Sequence, residues 1–570
     1  MSPLQEHIPN SPLTSTPIKT SSENLQSPLL GTSNDHTLNN DTLLNANDNS
    51  NSKNASSSTS PSTPSELPSL KPMFPFFFLI LLIALGMGMT LATVPTRIST
   101  SFAISKNSNS SISCVNRDQD TCLNSAKQGF DPCGDASDHA QDVNAVSDAV
   151  KNLLTFFSAG LLGELSDVRG RKPVLIMAFI IQSLPNLAYF VILFYLHRIQ
   201  DMPSPTPAQF STLAALPYIY YLLNAVTGLV NFLTLVITCT ADVLPAGPGR
   251  AVAVGIILAI FFAGVSMAPL VVNSLITSDV ATAGLSYLIV GVVVPVYAAV
   301  GLKESLTPAA AFQAKLQKEQ RQEGTPDTFL SRLSAPFRSI SILFRSRLFK
   351  TLTLVIFLTT MANESTQSLL FYYLTDPPLC FTDTDLAALM VILGLTGIIA
   401  QAGLLRPLIR IFGERRLLMF SSLAGAVHCA MYALAEDKAM VFMAGSLVCF
   451  TLFSFPTVSA IKSNNAGPQE QGQVQGALFS VKSLAAATGP LLMRGFYAAT
   501  ADSTVHGAFW LLGSAFFLLS MVFIGRLSEE KCNSKYIHGG GGGGDDSRLL
   551  RVDEDEGDRG RDTSIVAANV

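Results

Sequence analysis

Long apolar stretches alternate with short polar connections through two parts of the chain, residues 73–302 and 350–526. A helix needs about 20 mostly apolar residues to cross the hydrocarbon core of a bilayer. Twelve stretches reach that length, at roughly 73–95, 144–164, 173–197, 212–240, 251–276, 281–302, 350–374, 385–407, 416–436, 438–461, 475–499 and 506–526. The pattern predicts an all-α membrane protein with twelve transmembrane helices. We call 73–302 the N-terminal block and 350–526 the C-terminal block.

Polar segments surround the two blocks. Residues 1–72 are rich in Ser, Asn, Thr and Pro, and they are too long and too polar for a secretory signal peptide. They predict a disordered cytosolic N-terminal tail. Residues 527–570 contain six glycines at 539–544 and predict a disordered cytosolic C-terminal tail. The mixed charges of 303–349 predict a cytosolic linker between the blocks.

Basic residues concentrate in the connections that would share one side of the membrane. They are Arg169, Arg171, Lys172, Arg410, Arg415, Arg416 and Lys462. The connections 375–384 and 500–505, which would lie opposite, contain no Lys or Arg. Because cytosolic connections carry an excess of Lys and Arg, both termini are expected in the cytosol. The 96–143 loop is then lumenal or extracellular, and Asn109 begins a glycosylation sequon in it.

Composition and cysteine spacing exclude several classes of function. Apolar residues make up 48% of the chain and charged residues 14%, and the net charge of −4 gives no basic footprint for nucleic acid. The sequence lacks the Cys and His spacings that are typical of metal sites, and it lacks the cofactor-binding and phosphate-binding motifs that are typical of enzymes. Cys114, Cys122 and Cys133 share the 96–143 loop, where a disulfide would form. Three thiols cannot all pair with one another, so their pairing stays open.

The two blocks repeat one another. At an offset of 243 residues, Leu165 aligns with Leu408 and Gly170 aligns with Gly413. A second match, at an offset of 221, aligns Gly255 with Gly476. The alignment predicts two six-helix repeats with parallel topology, an arrangement that places a solute site near the membrane midplane between the repeats.

The connection after the second predicted span carries the most specific motif. Gly163-x-Leu165-Ser166-Asp167-Val168-Arg169-Gly170-Arg171-Lys172 resembles the signature of the major facilitator superfamily. In that family the loop is a gate latch, and the resemblance implies this role for Asp167, Arg169 and Arg171, with Arg410 and Gly413 at the repeated position. Gly163 would let two helices approach closely, and Gly170 would supply a tight turn. The alternative is that the basic residues only fix orientation.

Four further motifs resemble the hippocampus-abundant-transcript-like branch, which is related to tetracycline-resistance efflux proteins. They are Ala241-Asp242-Val243, Glu304-Ser305, Glu364-x-x-Gln367 and Gln471-Gly472-Gln473-Val474-Gln475-Gly476. The resemblance covers nearly all of 144–526, and it does not extend to the cysteine-bearing loop, the tails or Lys303. Antiporters of the tetracycline type rely on a carboxylate in the first span. Residues 73–95 contain none, which argues against that route of coupling.

Polar and charged groups inside the predicted spans are candidates for binding a solute or a proton. They are Glu364, Gln367, Lys482, Asn224, Asn231 and Tyr221. Glu364 would carry a proton or contact a cationic part of the solute, and a structural hydrogen bond between helices explains it equally. Lys482 would pair with a carboxylate, attract an anionic solute or extend to the interface. Asp148 and Lys151 are expected to form a local ion pair.

The sequence therefore predicts a secondary active or facilitative transporter that moves a small solute by alternating access, with or without proton coupling. The expected partners are that solute, protons and the lipid bilayer, and no cofactor, metal or nucleic acid is expected. A sensor, trafficking receptor or scaffold on the same fold is the alternative. Asp545-x-x-x-Leu549-Leu550 favours an endomembrane or vacuolar membrane over the plasma membrane.

Overall fold

A computed structural model describes residues 71–528, apart from 116, 118, 128–130, 245–247, 277–279, 467–470, 501–502, 504, 506 and most of 309–339. Every regular element in these residues is helical. The α-helices are α1 Phe74–Asn107, α2 Gln119–Lys127, α3 Pro132–Arg169, α4 Arg171–Gln200, α5 Pro207–Val226, α6 Phe232–Val243, α7 Pro248–Ile276, α8 Val280–Gly301, α9 Arg347–Thr375, α10 Asp383–Ile398, α11 Leu405–Ala433, α12 Lys438–Thr451, α13 Ser454–Asn464, α14 Gln471–Ala499 and α15 Trp510–Gly525. The predicted tails lie outside the described residues.

Six helical stretches in the described residues are long and apolar enough to cross a membrane. They are Lys71–Leu91, Arg171–Gln200, Pro207–Thr240, Asp383–Gln401, Lys438–Lys462 and Val474–Ala499. Three shorter apolar stretches, Gly255–Val271, Ser286–Gly301 and Trp510–Gly525, fall within α7, α8 and α15. The predicted second, seventh and ninth spans correspond to α3, α9 and α11. The described part of the chain is thus all-helical, and the chain is a multi-pass membrane protein.

Two helices extend well beyond the predicted spans into the predicted 96–143 loop. After residue 95, α1 continues for three more turns because Ile98, Phe102 and Ala103 remain buried, and it ends where Ser108 adopts a left-handed φ of 51°. The side chain of Asp131 accepts a hydrogen bond from the Cys133 amide at 3.0 Å and caps α3. The loop is therefore largely helical, contrary to the sequence-based boundaries.

The fourth predicted span is broken in the middle. A short 3₁₀ turn, Thr227–Leu229, follows α5, and Val230 is extended before α6 begins. The side chain of Asn231 caps α6 by accepting from the Thr234 amide at 3.1 Å. At Gly228 the chain passes so close to the Lys151 carbonyl of α3 that a Cβ would overlap it. The tenth predicted span is also broken, between α12 and α13.

Small residues bring helices of the two blocks together. A Cβ on Gly394 of α10 would overlap Ser266 of α7, so these two helices pack with almost no side-chain spacing. Within the C-terminal block, a Cβ on Gly489 of α14 would likewise lie only 2.7 Å from the Met361 carbonyl of α9. The blocks also meet where α3 packs along α14 and where α1 and α3 contact α9.

Two disulfides lie at one end of the helices. Cys114 pairs with Cys133, and Cys122 pairs with Cys380, which joins α2 to the connection between α9 and α10. Gly170 and Gly413 lie at the other end, because the 38 residues of α3 make a helix about 57 Å long between Asp131 and Gly170. We call these the disulfide end, defined by Cys122 and Cys380, and the motif end, defined by Gly170 and Gly413.

Candidate functional site

At the motif end, Arg171 is the centre of a polar cluster built from three segments of the N-terminal block. Its guanidinium lies 2.6 Å from Asp167 and donates from Nε to Asp242 at 2.8 Å, and it also contacts the Ser166 hydroxyl. Arg171 is only 7% exposed, so these partners compensate a cation that is largely removed from water. Asp167 thus pairs with a cation of the same motif.

The carboxylate of Glu304 holds the N-terminus of α4. It accepts from the Arg171 amide at 2.9 Å and from the Lys172 amide at 3.1 Å, and the amides of Ser305 and Leu306 donate to it as well. Partial burial would raise the pKa of Glu304, but these four amides lower it below its ordinary value. From the sequence, Glu304 was recognised only as part of a family motif.

Gly170 and Gly413 adopt the same unusual backbone conformation. Gly170 has φ 99° and ψ 155°, and Gly413 has φ 77° and ψ 163°. Both lie in a region that residues with a Cβ rarely adopt, which explains glycine at both positions of the alignment at offset 243. Glu414, which follows Gly413, is buried as Arg171 is.

Three other residues predicted for the gate make no comparable contact. A Cβ on Gly163 would meet no atom within 4 Å, so the close helix approach expected there is absent. Arg169 and Arg410 are exposed. Lys462, taken from the sequence as a basic residue of a connection, is instead fully buried in α13, where its ammonium donates to Thr353 and lies 5.5 Å from the Phe349 ring.

A cavity of about 210 Å³ lies between the two blocks at the break between α5 and α6. Lys151, Asn152 and Thr155 of α3 contribute to its wall, and Glu364 of α9 and Lys482 of α14 face them. The remaining lining residues are Met87, Gln182, Thr227, Gly228, Val230, Asn231, Phe232, Phe479, Ser483 and Ala486. The volume is below the roughly 300–1,000 Å³ of sites for drug-sized ligands, so it suits a small solute.

Glu364 and Lys482 form an ion pair in this cavity. Their charged atoms are 3.6 Å apart, and both side chains keep contact with solvent, with 28% and 40% of their surface exposed. The Lys482 ammonium also lies 5.6 Å from the Phe455 ring, a favourable cation–π arrangement. Both residues were predicted as candidates from the sequence, and the structure brings them together.

The four uncharged candidates have different positions. Asn231 lines the cavity and caps α6, so the positive end of that helix faces the cavity. Asn224 donates to the Ser147 hydroxyl at 3.2 Å. The Tyr221 hydroxyl lies 2.6 Å from that of Tyr372, a contact between the blocks. Gln367 is exposed and does not line the cavity.

A ladder of polar contacts joins the blocks between the cavity and the disulfide end. Ser368 donates to Asp148 at 2.7 Å, and Asn144 donates to the Ser368 carbonyl at 3.1 Å. Closer to the disulfide end, Ser137 donates to Asp376 at 3.1 Å. Burial raises the pKa of Asp376, which lies beyond the end of α9. Asp148 therefore contacts Ser368, and the local ion pair expected with Lys151 is absent.

Charged residues join the two blocks at two further places, and none of these residues was a candidate in the sequence. Arg494 of α14 binds Asp142 at 2.6 Å and Asp138 at 3.2 Å, both on α3. Thr96 of α1 donates to Asp383 of α10 at 3.3 Å. Arg97, 7% exposed, follows Thr96, and its charge interacts with Asp383. Arg97 lies just after the predicted first span. Had the helix been predicted to continue past residue 95, a cation inside it would have marked Arg97 as a candidate.

A family model described as the Major Facilitator Superfamily matches residues 76–490, well over half of the chain. The chain belongs to the major facilitator superfamily. This membership confirms the resemblance carried by the motif from Gly163 to Lys172.

Similar proteins fall into the two groups suggested by the sequence. The mouse and human hippocampus abundant transcript 1 proteins are each 26% identical over 357 residues, which is 62% of this chain and 65% of those relatives. The match thus spans slightly less than two thirds of their length. The class C tetracycline resistance protein of Escherichia coli is 30% identical over 145 residues, 25% of this chain and 36% of that protein.

Solved structures of other major facilitators share the fold. The human organic anion transporter MFSD10 is 19% identical with a TM-score of 0.51, and the match covers 80% of this chain and 99% of that one. A D-xylose-proton symporter is 15% identical with a TM-score of 0.54, covering 81% and 99%. At these identities the likeness shows the fold alone.

Proposed function

We propose that this major facilitator moves a small solute by alternating access, using twelve transmembrane helices in two six-helix repeats. The repeats comprise residues 73–302 and 350–526, and 303–349 connects them. The matched backbone angles of Gly170 and Gly413 support this organisation. So do the breaks in the fourth and tenth predicted spans, because discontinuous helices at corresponding positions of two repeats are typical of transporter binding sites.

The cavity between the blocks is the observation that carries this proposal. Both blocks contribute charged groups to it, and the ladder from Asp148 to Cys380 closes one side. At the motif end, the contacts of Arg171 join residues of the N-terminal block only. This asymmetry suits a carrier in the state that is closed at the disulfide end, with Glu364, Lys482 and Asn231 in the solute site.

The motif end is proposed as the cytosolic gate. Separation of the motif ends in one state and of the disulfide ends in the other would expose the cavity to each side in turn. Asp167, Gly170 and Arg171 form the latch in the first repeat, and Arg410 and Gly413 stand at the corresponding position of the second. The exposed Arg169 is proposed to meet lipid headgroups or the C-terminal block during closure.

The disulfide end is proposed to face the lumen or the exterior. Disulfides persist in oxidising compartments, and Cys114, Cys122, Cys133 and Cys380 all pair at this end. Asn109 lies exposed at the same end, where a glycosyltransferase would reach it. Both tails would then be cytosolic, and the endomembrane or vacuolar location inferred from the C-terminal dileucine pattern is retained as part of the proposal.

A metabolite library, screened by thermal shift on the purified chain, would identify the solute, because a ligand that binds only the folded state raises its apparent stability. The hit is then tested for uptake into proteoliposomes with and without a pH gradient. We expect uptake, and we expect Glu364→Gln or Lys482→Gln to abolish it along with the thermal shift. Binding without any uptake would favour the sensor, receptor or scaffold alternative.

A further inference from the structure

Asp148 and Lys151 lie one turn apart on α3, between the cavity and the cross-block ladder. Lys151 lines the cavity, and in the described structure its ammonium has no acidic group within 4 Å. Asp148 is partly buried, and its carboxyl accepts hydrogen bonds from Ser368 at 2.7 Å and Asn144 at 3.3 Å. The strongest charge interaction of Asp148 is nevertheless its attraction to Lys151, and Glu364 repels it more weakly.

The charges around the cavity depend on whether Asp148 carries a proton. Lys482 and Glu364 neutralise each other at 3.6 Å. Lys151 then has only Asp148 to balance it, so the site is neutral with Asp148 ionised and carries one net positive charge with Asp148 protonated. The amino end of α6, at Asn231, adds a further positive potential to the same wall. A cation partly removed from water favours an anionic partner.

We propose that the cavity binds a small anion, through a group such as carboxylate or phosphate, together with one proton on Asp148. The proton neutralises Asp148 and leaves Lys151 without a nearby opposite charge, and Lys151 then pairs with the anion. The anion in turn favours protonation of Asp148, because linkage between two binding events is reciprocal. The proposal rests on the alternating-access function above and makes the chain a proton–anion symporter.

The surroundings of Asp148 explain why it, and not Glu364, holds the transported proton. Glu364 already has a cation beside it, whereas Asp148 accepts only uncharged donors and sits where the two blocks meet. Opening the disulfide end would break the bond from Ser368 and expose Asp148 to that side. The groups that face Asp148 are Asn144 and Lys151 of α3, Tyr220, Tyr221 and Asn224 of α5, and Glu364, Ser368 and Tyr372 of α9.

The charge in the cavity can be measured before the solute is known, from the rate at which charged reagents modify a cysteine placed at Ser483 on the cavity wall. Purified Ser483→Cys protein is modified with an anionic sulfonatoethyl methanethiosulfonate or its cationic trimethylammonium-ethyl counterpart. The ratio of the two rates, divided by the same ratio for a free small thiol, cancels the ionisation of the cysteine itself. The parent chain supplies the background from its native cysteines, including the buried Cys239, Cys429 and Cys449.

We expect the normalised ratio to favour the anionic reagent by roughly tenfold at about pH 5 and to fall towards one at about pH 8. Asp148→Asn should keep the ratio high at both pH values, and Lys151→Gln should remove the preference for the anion. Glu364→Gln should raise the ratio but retain its dependence on pH. A dependence that survives Asp148→Asn, or that disappears in Glu364→Gln, would overturn the assignment of the proton to Asp148.

Ser368→Ala provides a second test that leaves the carboxyl in place. Loss of its hydrogen bond weakens the ionised form of Asp148, so the midpoint of the pH dependence should move to higher pH. An unmoved midpoint would contradict the proposal. A normalised ratio of one at every pH would reject the anion while leaving the carrier function intact. If neither reagent reaches Ser483→Cys in the folded protein, the open cavity and the carrier function are both contradicted.

Discussion

At the scale of single residues, the site depends on side chains that lie far apart in the sequence. The Asp167–Arg171 pair could be predicted because residues four apart on a helix are neighbours. Asp242 and Glu304 reach the same arginine from positions 71 and 133 residues away, and no local pattern places them there. Glu364 and Lys482 were found as charges inside predicted spans, but their pairing required the fold.

The contacts of Arg171 should contribute measurably to stability. Arg171→Ala removes bonds to Asp167, Asp242 and Ser166, and charge-assisted hydrogen bonds each contribute about 1.5–3 kcal/mol. We expect the free energy of unfolding to fall by about 2 kcal/mol or more, measured by thermal and denaturant unfolding in detergent. Arg169→Ala is the matched control, since this neighbouring arginine is exposed, and it should change stability by less than about 0.5 kcal/mol.

Glu304 should make stability depend on pH in a defined direction. Its pKa is lowered in the folded state, so its contribution is fully present above the unfolded pKa of about 4.3 and is lost as pH falls through the folded pKa. Glu304→Gln should therefore lower the melting temperature at neutral pH. The difference from the native chain should vanish in acid. A difference that grew on acidification would contradict the four-amide interaction.

At the scale of helices, hydropathy predicted where the helices lie better than where they are broken. Residues 212–240 are apolar on average, and the few polar residues near the break between α5 and α6, such as Asn224 and Asn231, do not interrupt the predicted span. The break depends on packing, because Gly228 lies against the Lys151 carbonyl, and on the capping side chain of Asn231. The extension of α1 and α3 beyond their apolar stretches likewise depends on tertiary burial and a cap, which hydropathy does not measure.

Gly228→Ala tests the close approach at the break. The added methyl group would overlap the Lys151 backbone, and such overpacking costs about 1–3 kcal/mol. We expect lower thermal stability and distortion of the cavity, read from the yield of monodisperse protein and its melting temperature. Gly163→Ala has open space around its Cβ inside α3 and should be neutral or stabilising. Equal effects of the two substitutions would be inconsistent with the packing at Gly228.

At the scale of the whole molecule, the sequence predicted membership of the family, but not which end of the structure is closed. The alignment of Gly170 with Gly413 is local, whereas closure at one end depends on contacts such as Arg494 with Asp142, which are 352 residues apart. The partner of Cys122 could not be predicted from the sequence for the same reason. It lies in the other block, whereas the sequence suggested only the neighbouring cysteines of the loop.

The Cys122–Cys380 bond should hold the two blocks together when the linker is cut. A protease site inserted near residue 325 and cleaved in the purified protein should leave one band of full size on a non-reducing gel. Two fragments should appear after reduction. Cys122→Ser should give two fragments in both conditions, and Cys239→Ser, which removes an unpaired buried cysteine, should behave like the native chain. Two fragments from the native chain without reductant would exclude the bond.

The same bond has a consequence for how the protein is made. Cys122 is synthesised 258 residues before Cys380, so its thiol stays unpaired with its native partner while most of the membrane region is still being inserted. Only a chain whose two blocks have met can close the bond, whereas a chain that stops early retains a reactive thiol. A single pair of cysteines thus gives the cell's oxidative folding machinery a chemical record that the start of the C-terminal block has met the N-terminal block.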